Sequence, residues 1–165
     1  MAGNQRYLIA LGSNIPHHRH GSPAGVLHAA LAALAEQGLT IEKASRIIAT
    51  APLGPSKRRF ANSAAIVSCR LMPDALMERL EATQTTFGKR AGQPWGARVL
   101  DLDIVLWEGG TWASDGLAVP HISFRQRDFV LTPAVTIAPR WRDPVTGLTL
   151  QHLHSRLTRP RPARR

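Results

Sequence analysis

The alternation of apolar and polar positions along the chain predicts a mixed order of strands and helices. Runs rich in apolar and β-branched residues predict four strands, at residues 7–11, 40–50, 60–69 and 98–106. Apolar residues recur at helical spacing from Pro23 to Gly38 and from Pro73 to Gly88. The resulting β-α-β-β-α-β order predicts an α+β protein with a ferredoxin-like core, in which helices pack on a largely antiparallel sheet.

Beyond this core the pattern predicts C-terminal additions to the same domain. Residues 108–116 are rich in turn-forming residues, and a short apolar helix is predicted around residues 129–135. The chain has 165 residues, of which 44% are hydrophobic, a size and composition that suit a single domain. We therefore expect one domain over residues 1–155 and a basic, disordered tail over residues 156–165.

Composition also bears on where the protein acts. No run approaches the roughly 18–20 apolar residues that cross a bilayer, so no membrane partner is expected. Cys69 is the single cysteine and lies in an apolar stretch, which favours a reducing cytoplasm.

The charge balance suggests an anionic partner. Lysine and arginine number 21 against 11 acidic residues, a formal net charge of +10. Such a balance is typical of proteins that bind nucleic acid or phosphorylated small molecules. Five of the arginines fall in the last ten residues, so the body of the domain is only mildly basic.

The most specific local feature is the pair Asp101 and Asp103 on the fourth predicted strand. Alternate side chains of a strand share a face, so the two carboxylates point together while Leu102 and Ile104 point into the core. Two close carboxylates repel each other unless a cation neutralises them, and Mg²⁺ often joins carboxylates to substrate phosphates. A solvated strand face, or an aspartate paired with an arginine, is the alternative.

A glycine-containing basic loop precedes these aspartates. Lys89, Arg90 and Arg98 could neutralise the charge that accumulates on the oxygens of a transferred phosphoryl group. Trp95 lies in the same loop, and its glycines would let it open and close over a ligand. The alternative is a loop that is merely solvated and mobile.

A third element lies after the fourth strand. His121 and Arg127 could both bind phosphate, and Phe129 offers a flat apolar face to a ring. A histidine after a proline can equally be structural, and a phenylalanine in an apolar helix can belong to the core.

With these motifs the chain resembles the 6-hydroxymethyl-7,8-dihydropterin pyrophosphokinase family. The resemblance runs from Leu11 to about Pro144 and rests on several motifs in the right order. They are Leu11-Gly12-Ser13-Asn14, Thr50-Ala51-Pro52-Leu53-Gly54-Pro55, Phe60-Ala61-Asn62, Trp95-Gly96-Ala97-Arg98-Val99-Leu100-Asp101-Leu102-Asp103-Ile104, Val119-Pro120-His121 and Arg127-Asp128-Phe129-Val130-Leu131-Thr132-Pro133.

The resemblance implies a ferredoxin-like fold, two Mg²⁺ ions, ATP and a pterin alcohol. In this family the hydroxymethyl oxygen attacks the β-phosphorus of ATP, pyrophosphate is transferred and AMP leaves. The family habit also implies a monomer.

The resemblance further implies a role for each matching residue. Asp101 and Asp103 would bridge the metal ions, and Arg98 with Lys89 or Arg90 would neutralise the phosphates. Nucleotide contacts would come from Glu81, Gln84, the backbone near Ile104, His121 and Arg127. The pterin would contact Thr50, Ala51, Leu53, Phe60, Asn62, Phe129 and Trp95, the last of which would help seal the closed loop. Asp101 with its metal is the hypothesis for activating the hydroxymethyl oxygen.

Several positions depart from the family pattern. The usual Gln-then-Glu order on the second helix is reversed to Glu81 and Gln84, and the loop after Gly88 is one residue short. Lys89 and Arg90 therefore cannot be assigned individually. Gly116 and Ala118 stand where the family has an Arg-x-Thr, from which we expect weaker ATP binding.

Two other functions are less well supported. An RNA-binding ferredoxin-like sheet would stack bases on aromatic residues, but residues 99–106 carry no aromatic side chain and two acids. Nucleic acid is therefore not expected as a partner. Transition-metal binding by histidines lacks accompanying cysteines or carboxylates at a familiar spacing; these histidines are His17, His18, His20, His152 and His154.

Overall fold

A computed structural model describes residues 3–51, 59–88 and 99–163 of the chain. Within these ranges no helix is long and apolar enough to cross a membrane. The predicted sites at Leu53, Lys89, Arg90, Trp95 and Arg98 lie outside the described residues.

The described residues form a five-stranded antiparallel sheet. Its strands are β1 (Gln5–Ser13), β2 (Thr40–Ala44), β3 (Ile48–Thr50), β4 (Phe60–Cys69) and β5 (Asp101–Trp107). The order is β2-β4-β1-β5, with β3 also paired to β4, and every pairing is antiparallel. The prediction of a ferredoxin-like α+β core is confirmed. Strands β1 and β4 lie at the centre, which explains why both are nearly continuous apolar runs.

Two helices cover one face of the sheet. Helix α1 (Pro23–Glu36) begins after Ser22, whose hydroxyl accepts a hydrogen bond from the Gly25 N–H at 3.3 Å, as an N-cap does. Helix α2 (Pro73–Thr86) has proline at its first position. Both helices pack against the Tyr7, Ile9 and Leu11 side chains of β1 in the larger core cluster.

The opposite face is covered by C-terminal elements. Helices α3 (Asp128–Ile137) and α4 (Leu150–Thr158) and a single 3₁₀ turn (Phe124–Gln126) contribute to a second core cluster with Leu8, Ala64 and Ile66. These elements leave one end of this face open, at the Gly12 end of β1.

The structure differs from the sequence-based predictions at several points. Strand β1 continues through Gly12 and Ser13 instead of ending at Leu11, because both residues pair with β4. The strand predicted at 40–50 is two strands, because Ser45 turns the chain: its N–H donates to the Ala64 carbonyl at 2.8 Å and its hydroxyl accepts from the Ala64 N–H at 2.9 Å. The turn-rich segment at 108–116 contains strand β6 (Trp112–Ser114), which forms a hairpin with β7 (Leu117–Val119). Helix α4 continues to Thr158, so the tail predicted from residue 156 begins with the last residues of a helix.

The hairpin docks on α2 through Asp74. The Trp112 indole N–H donates to Asp74 Oδ2 at 3.2 Å, and the Ser114 hydroxyl donates to Asp74 Oδ1. Asp74 lies in the first turn of α2, where a carboxylate is also favoured by the helix dipole.

Candidate active site

A cavity of about 240 Å³ occupies the open end of the sheet face that carries α3. It brings together residues from β1, β3, β4, β5 and the start of α3. The lining residues are Ala10, Leu11, Gly12, Thr50, Ala51, Phe60, Asn62, Asp101, Asp103, Arg127, Phe129 and Val130. Eight of the predicted site residues, from distant parts of the sequence, therefore meet in one place: Thr50, Ala51, Phe60, Asn62, Asp101, Asp103, Arg127 and Phe129.

The floor of the cavity is set by strand register. Gly12 of β1 is paired with Asn62 of β4 on one side and with Asp101 of β5 on the other. Directly paired residues of antiparallel strands point to the same face, so Asn62 and Asp101 flank a position without a side chain. A Cβ atom at Gly12 would lie 3.1 Å from Asn62 Oδ1. A side chain at this position would therefore crowd the Asn62 amide.

Asp101 and Asp103 share the cavity face of β5, which confirms the prediction from strand alternation. Both side chains are half-buried, whereas Leu102 and Ile104 between and after them are buried in the core. Asp103 is paired in register with Ala10, another small residue on the cavity floor.

Gln84 holds the strand segment between the two aspartates. Among the described strands β5 lies at the edge of the sheet, so none of them offers a partner to the Leu102 N–H on its outer side. The side-chain carbonyl of Gln84, on α2, accepts this N–H at 2.7 Å in a buried environment. Its oxygen is thus committed to the backbone of β5, and Glu81, one turn earlier, is exposed. Nucleotide contact by these two residues stays a prediction.

One part of the cavity suits a planar ring, and it is formed by Thr50, Asn62, Phe60 and Phe129. The Asn62 amide N–H donates to the Thr50 hydroxyl at 2.6 Å, and this bond orients the amide with its oxygen above Gly12. Phe60 comes from β4 and Phe129 from α3, so two aromatic side chains reach the cavity from separate elements.

Arg127 lines the cavity together with the two aspartates, whereas His121 is not among the lining residues but lies close enough to Asp103 and Arg127 to feel their charges. The His121 N–H donates to the Val105 carbonyl at 3.0 Å, and the imidazole Nδ1 accepts from the Ser123 N–H at 3.1 Å. Burial lowers the pKa of His121 and Arg127 lowers it further, while Asp103 acts in the opposite sense. A neutral ring whose Nδ1 accepts carries its proton on Nε2, so His121 offers a donor near Asp103.

Arg127 reaches the cavity from the residue that precedes α3. Its guanidinium carbon lies 5.7 Å from the centroid of the Phe129 ring, within cation–π range. One arginine thus borders both the aromatic part of the cavity and the carboxylates. Such a position suits a group that contacts a phosphate attached next to a ring.

Sequence reasoning assigned no role to the floor residues Ala10 and Gly12. The sequence nevertheless carried an indication, because these two small residues alternate in a strand of otherwise bulky apolar residues. Such a pattern marks a place where a ligand or another backbone approaches the sheet closely.

The histidine-rich loop shows no metal site. The His17 and His18 rings stack with centroids 4.3 Å apart, and the His17 and His20 rings with centroids 4.7 Å apart. Nowhere in residues 3–51, 59–88 and 99–163 do three or more histidine, cysteine or acidic side chains form a group that could hold a metal.

Fold and cavity together define an α+β protein whose cavity joins two carboxylates, an arginine and two aromatic rings. Residues 8–139 match the family model described as 7,8-dihydro-6-hydroxymethylpterin-pyrophosphokinase (HPPK). The chain belongs to this family.

Individual relatives agree with the family model. The chain is 35% identical to the 2-amino-4-hydroxy-6-hydroxymethyldihydropteridine pyrophosphokinase of Pseudomonas aeruginosa over 142 residues, which cover 85% of each protein. The protein of the same name from Synechocystis is 32% identical over 147 residues, 88% of this chain and 73% of the relative. These comparisons confirm the predicted family and the kinase class that its name gives.

Solved structures agree on the fold. The wild-type HPPK-DHPS of Plasmodium falciparum superposes with a TM-score of 0.74 at 13% identity. The match covers 94% of this chain but 41% of that larger one, so it bears on the fold alone.

Proposed function

We propose that this protein transfers pyrophosphate from ATP to 6-hydroxymethyl-7,8-dihydropterin and releases AMP, a step of folate biosynthesis. Family membership supports this proposal. The observation that carries it is that Asp101 and Asp103 line the same cavity as Phe60 and Phe129. A phosphoryl-transfer site and a ring-binding site would thus be adjacent.

The aromatic end of the cavity suits the pterin. A planar bicyclic ring would stack between Phe60 and Phe129, an arrangement worth about 0.5–1.5 kcal/mol per aromatic pair beyond area burial. Thr50 and Asn62 would hydrogen-bond the polar edge of the ring, with Ala51 at the rim. A site built to hydrogen-bond ring N–H and C=O groups rejects analogues that leave those groups unpaired.

The acidic end suits Mg²⁺. Two carboxylates on one strand face are the oxygen ligands that Mg²⁺ prefers, and the few protein ligands suit an ion that also binds substrate phosphates. Asp101 and Asp103 would hold the two ions expected for this family. When bound, the ions neutralise triphosphate charge.

The side chains at the boundary would orient the reacting groups. Arg127 and the Nε2–H of His121 would donate to phosphate oxygens of ATP. The hydroxymethyl oxygen would then bond to the β-phosphorus while the bond from that phosphorus to the α-phosphate oxygen breaks, and AMP leaves. Asp101 is the proposed acceptor of the hydroxyl proton. Roles for Arg98, Lys89, Arg90, Trp95 and Leu53 remain predictions from the family resemblance.

The departures at Gly116 and Ala118 bear on ATP affinity. Gly116 has a φ of +81° in the turn between β6 and β7, a conformation that disfavours any side chain there. Ala118 is exposed on β7. The lost family contacts should weaken ATP binding, and Ala118→Thr is the variant that tests this without straining the turn.

We further propose that the protein acts as a monomer in the cytoplasm and that nucleic acid is not among its partners. The paired acids in the cavity would repel a phosphate backbone.

The function is tested by measuring AMP release from MgATP with and without 6-hydroxymethyl-7,8-dihydropterin. Pterin-dependent AMP that is lost in Asp103→Ala but kept in Asp115→Ala, an exposed aspartate of the β6–β7 turn, would support the proposal. ADP in place of AMP would mean transfer of the γ-phosphoryl group and a different reaction. Absence of both products from folded protein would refute the proposal.

A further inference from the structure

An ion pair outside the cavity joins two C-terminal segments. Arg125 Nε lies 2.6 Å from Asp143 Oδ2 and Arg125 Nη2 lies 2.8 Å from Asp143 Oδ1, a bidentate geometry. Asp143 is fully buried and also accepts from the Thr146 hydroxyl at 2.7 Å and from the Val145 N–H at 3.0 Å. The carboxylate is therefore held rigidly by the turn before α4, and it presents a fixed fork to Arg125.

Arg125 lies on the segment that carries both predicted phosphate contacts. It belongs to the 3₁₀ turn Phe124–Gln126, which lies between His121 and Arg127. The Phe124 N–H donates to the His121 carbonyl and the Arg127 N–H donates to the Phe124 carbonyl, each at 3.3 Å. The Phe124 side chain is fully buried, and the Arg125 guanidinium carbon lies 4.7 Å from its ring centroid. Arg125 thus lies in a hydrogen-bonded turn that connects the backbone of His121 to that of Arg127.

We propose that Asp143 is a positioning residue for the nucleotide site, which acts through Arg125 on His121 and Arg127. The proposal rests on the proposed function for the identity of the ligand, a nucleoside triphosphate. His121 and Arg127 donate usefully only if both face the phosphates beside Asp103. The ion pair between Arg125 and Asp143 would hold the Phe124–Gln126 turn in the arrangement in which both side chains face the phosphates. Without the carboxylate, Arg125 is a half-buried cation that turns towards water and loosens the turn.

The experiment compares Asp143→Asn with Arg142→Gln. Arg142 is the neighbouring residue in the same turn and donates to the Gly147 carbonyl at 2.8 Å, so its loss weakens the turn without removing the partner of Arg125. Binding is measured by calorimetry with Mg²⁺ and α,β-methylene-ATP, and separately with 6-hydroxymethylpterin, at a temperature where circular dichroism shows each variant folded.

We expect Asp143→Asn to weaken binding of the nucleotide analogue about tenfold, an effect that side chains without ligand contact can exert through a packed network. Pterin binding and the Arg142→Gln variant should stay within about twofold of wild type, the change typical of surface positions. A merely stabilising role for Asp143 predicts a lower melting temperature with unchanged nucleotide affinity in the folded protein, and that result would overturn the proposal.

A second variant covers a failure of Asp143→Asn to fold. Arg125→Lys keeps the charge but loses the bidentate fork, and it should weaken nucleotide binding about fivefold. The positioning role would be overturned if Arg125→Lys bound α,β-methylene-ATP as tightly as the wild type does. It would also be overturned if the wild-type protein did not bind this analogue. AMP release by the wild type tests the proposed function separately: its absence, with selective loss of nucleotide binding in Asp143→Asn, would refute the reaction and leave the positioning role supported.

Discussion

Replacement of Gln84 by leucine should both destabilise the fold and displace Asp101 and Asp103. Gln84 is 7% exposed, and its side-chain oxygen is the acceptor for the Leu102 N–H at 2.7 Å. In Gln84→Leu the side chain keeps a similar volume, but the buried N–H loses its acceptor. A buried donor left without a partner costs about 1–3 kcal/mol of the free energy of unfolding. For a domain of ordinary stability, about 5–15 kcal/mol, this is a large loss.

The loss is measured by urea unfolding followed through tryptophan fluorescence, since Trp107 is the last residue of β5. Glu81→Leu is the matched control, because it introduces the same side chain one turn earlier at an exposed position. Its effect should stay within about 0.5 kcal/mol, as is usual for surface substitutions.

The same variant should slow AMP formation, because Leu102 lies between the two carboxylates that would bind Mg²⁺. Raising the Mg²⁺ concentration should restore part of the rate if the aspartates are merely displaced. A Gln84→Leu protein with the stability of the Glu81→Leu control would refute the reasoning, since it would show that the Leu102 N–H needs no acceptor from α2.

Three further predictions follow from the geometry. Gly12→Ala places a methyl carbon 3.1 Å from Asn62 Oδ1. The strain of overpacking is of order 1 kcal/mol, so calorimetry should show 6-hydroxymethylpterin binding weakened severalfold. Unchanged affinity would contradict the steric argument. Burial opposes ionisation of Asp143, but hydrogen bonds from Arg125, Thr146 and the Val145 N–H prevail and lower its pKa from 3.8 to about 2. Between about pH 4 and pH 2 the unfolded chain therefore binds more protons than the folded one, so on the order of 2 kcal/mol of stability should be lost on acidification. Stability of the Asp143→Asn variant should depend less on pH in this range. The same pH dependence in the variant and the wild type would argue against the Arg125–Asp143 pair as the cause. Burial lowers the pKa of His121 below 6.5, so NMR should show the imidazole titrating below that pH. Because the unfolded chain takes up this proton more readily, stability should fall as the pH drops below 6.5. A midpoint at or above 6.5 would contradict the buried, neutral imidazole.

The starts of both core helices and the order of the core elements could be read from local rules. Prolines at the starts of both helices and the apolar runs of β1 and β4 led to the correct order of elements, because each depends on neighbouring residues in the chain. The shared face of Asp101 and Asp103 was predictable for the same reason, since strand alternation is a local property. The break in the second predicted strand was not, because it depends on how Ser45 bonds to Ala64, a residue 19 positions away.

The sequence by itself therefore determined the α+β class through periodicity, and the family and most of the residues that line the cavity through the resemblance of its motifs. Only the tertiary structure decided how the cavity is built. Strand register places Gly12 between Asn62 and Asp101, and helix packing brings the Gln84 oxygen to Leu102. A buried pair joins Arg125 to Asp143 across 18 positions. Each of these contacts joins residues far apart in the chain, and their partners are chosen by burial and by the need to satisfy buried polar groups, which no local pattern reveals.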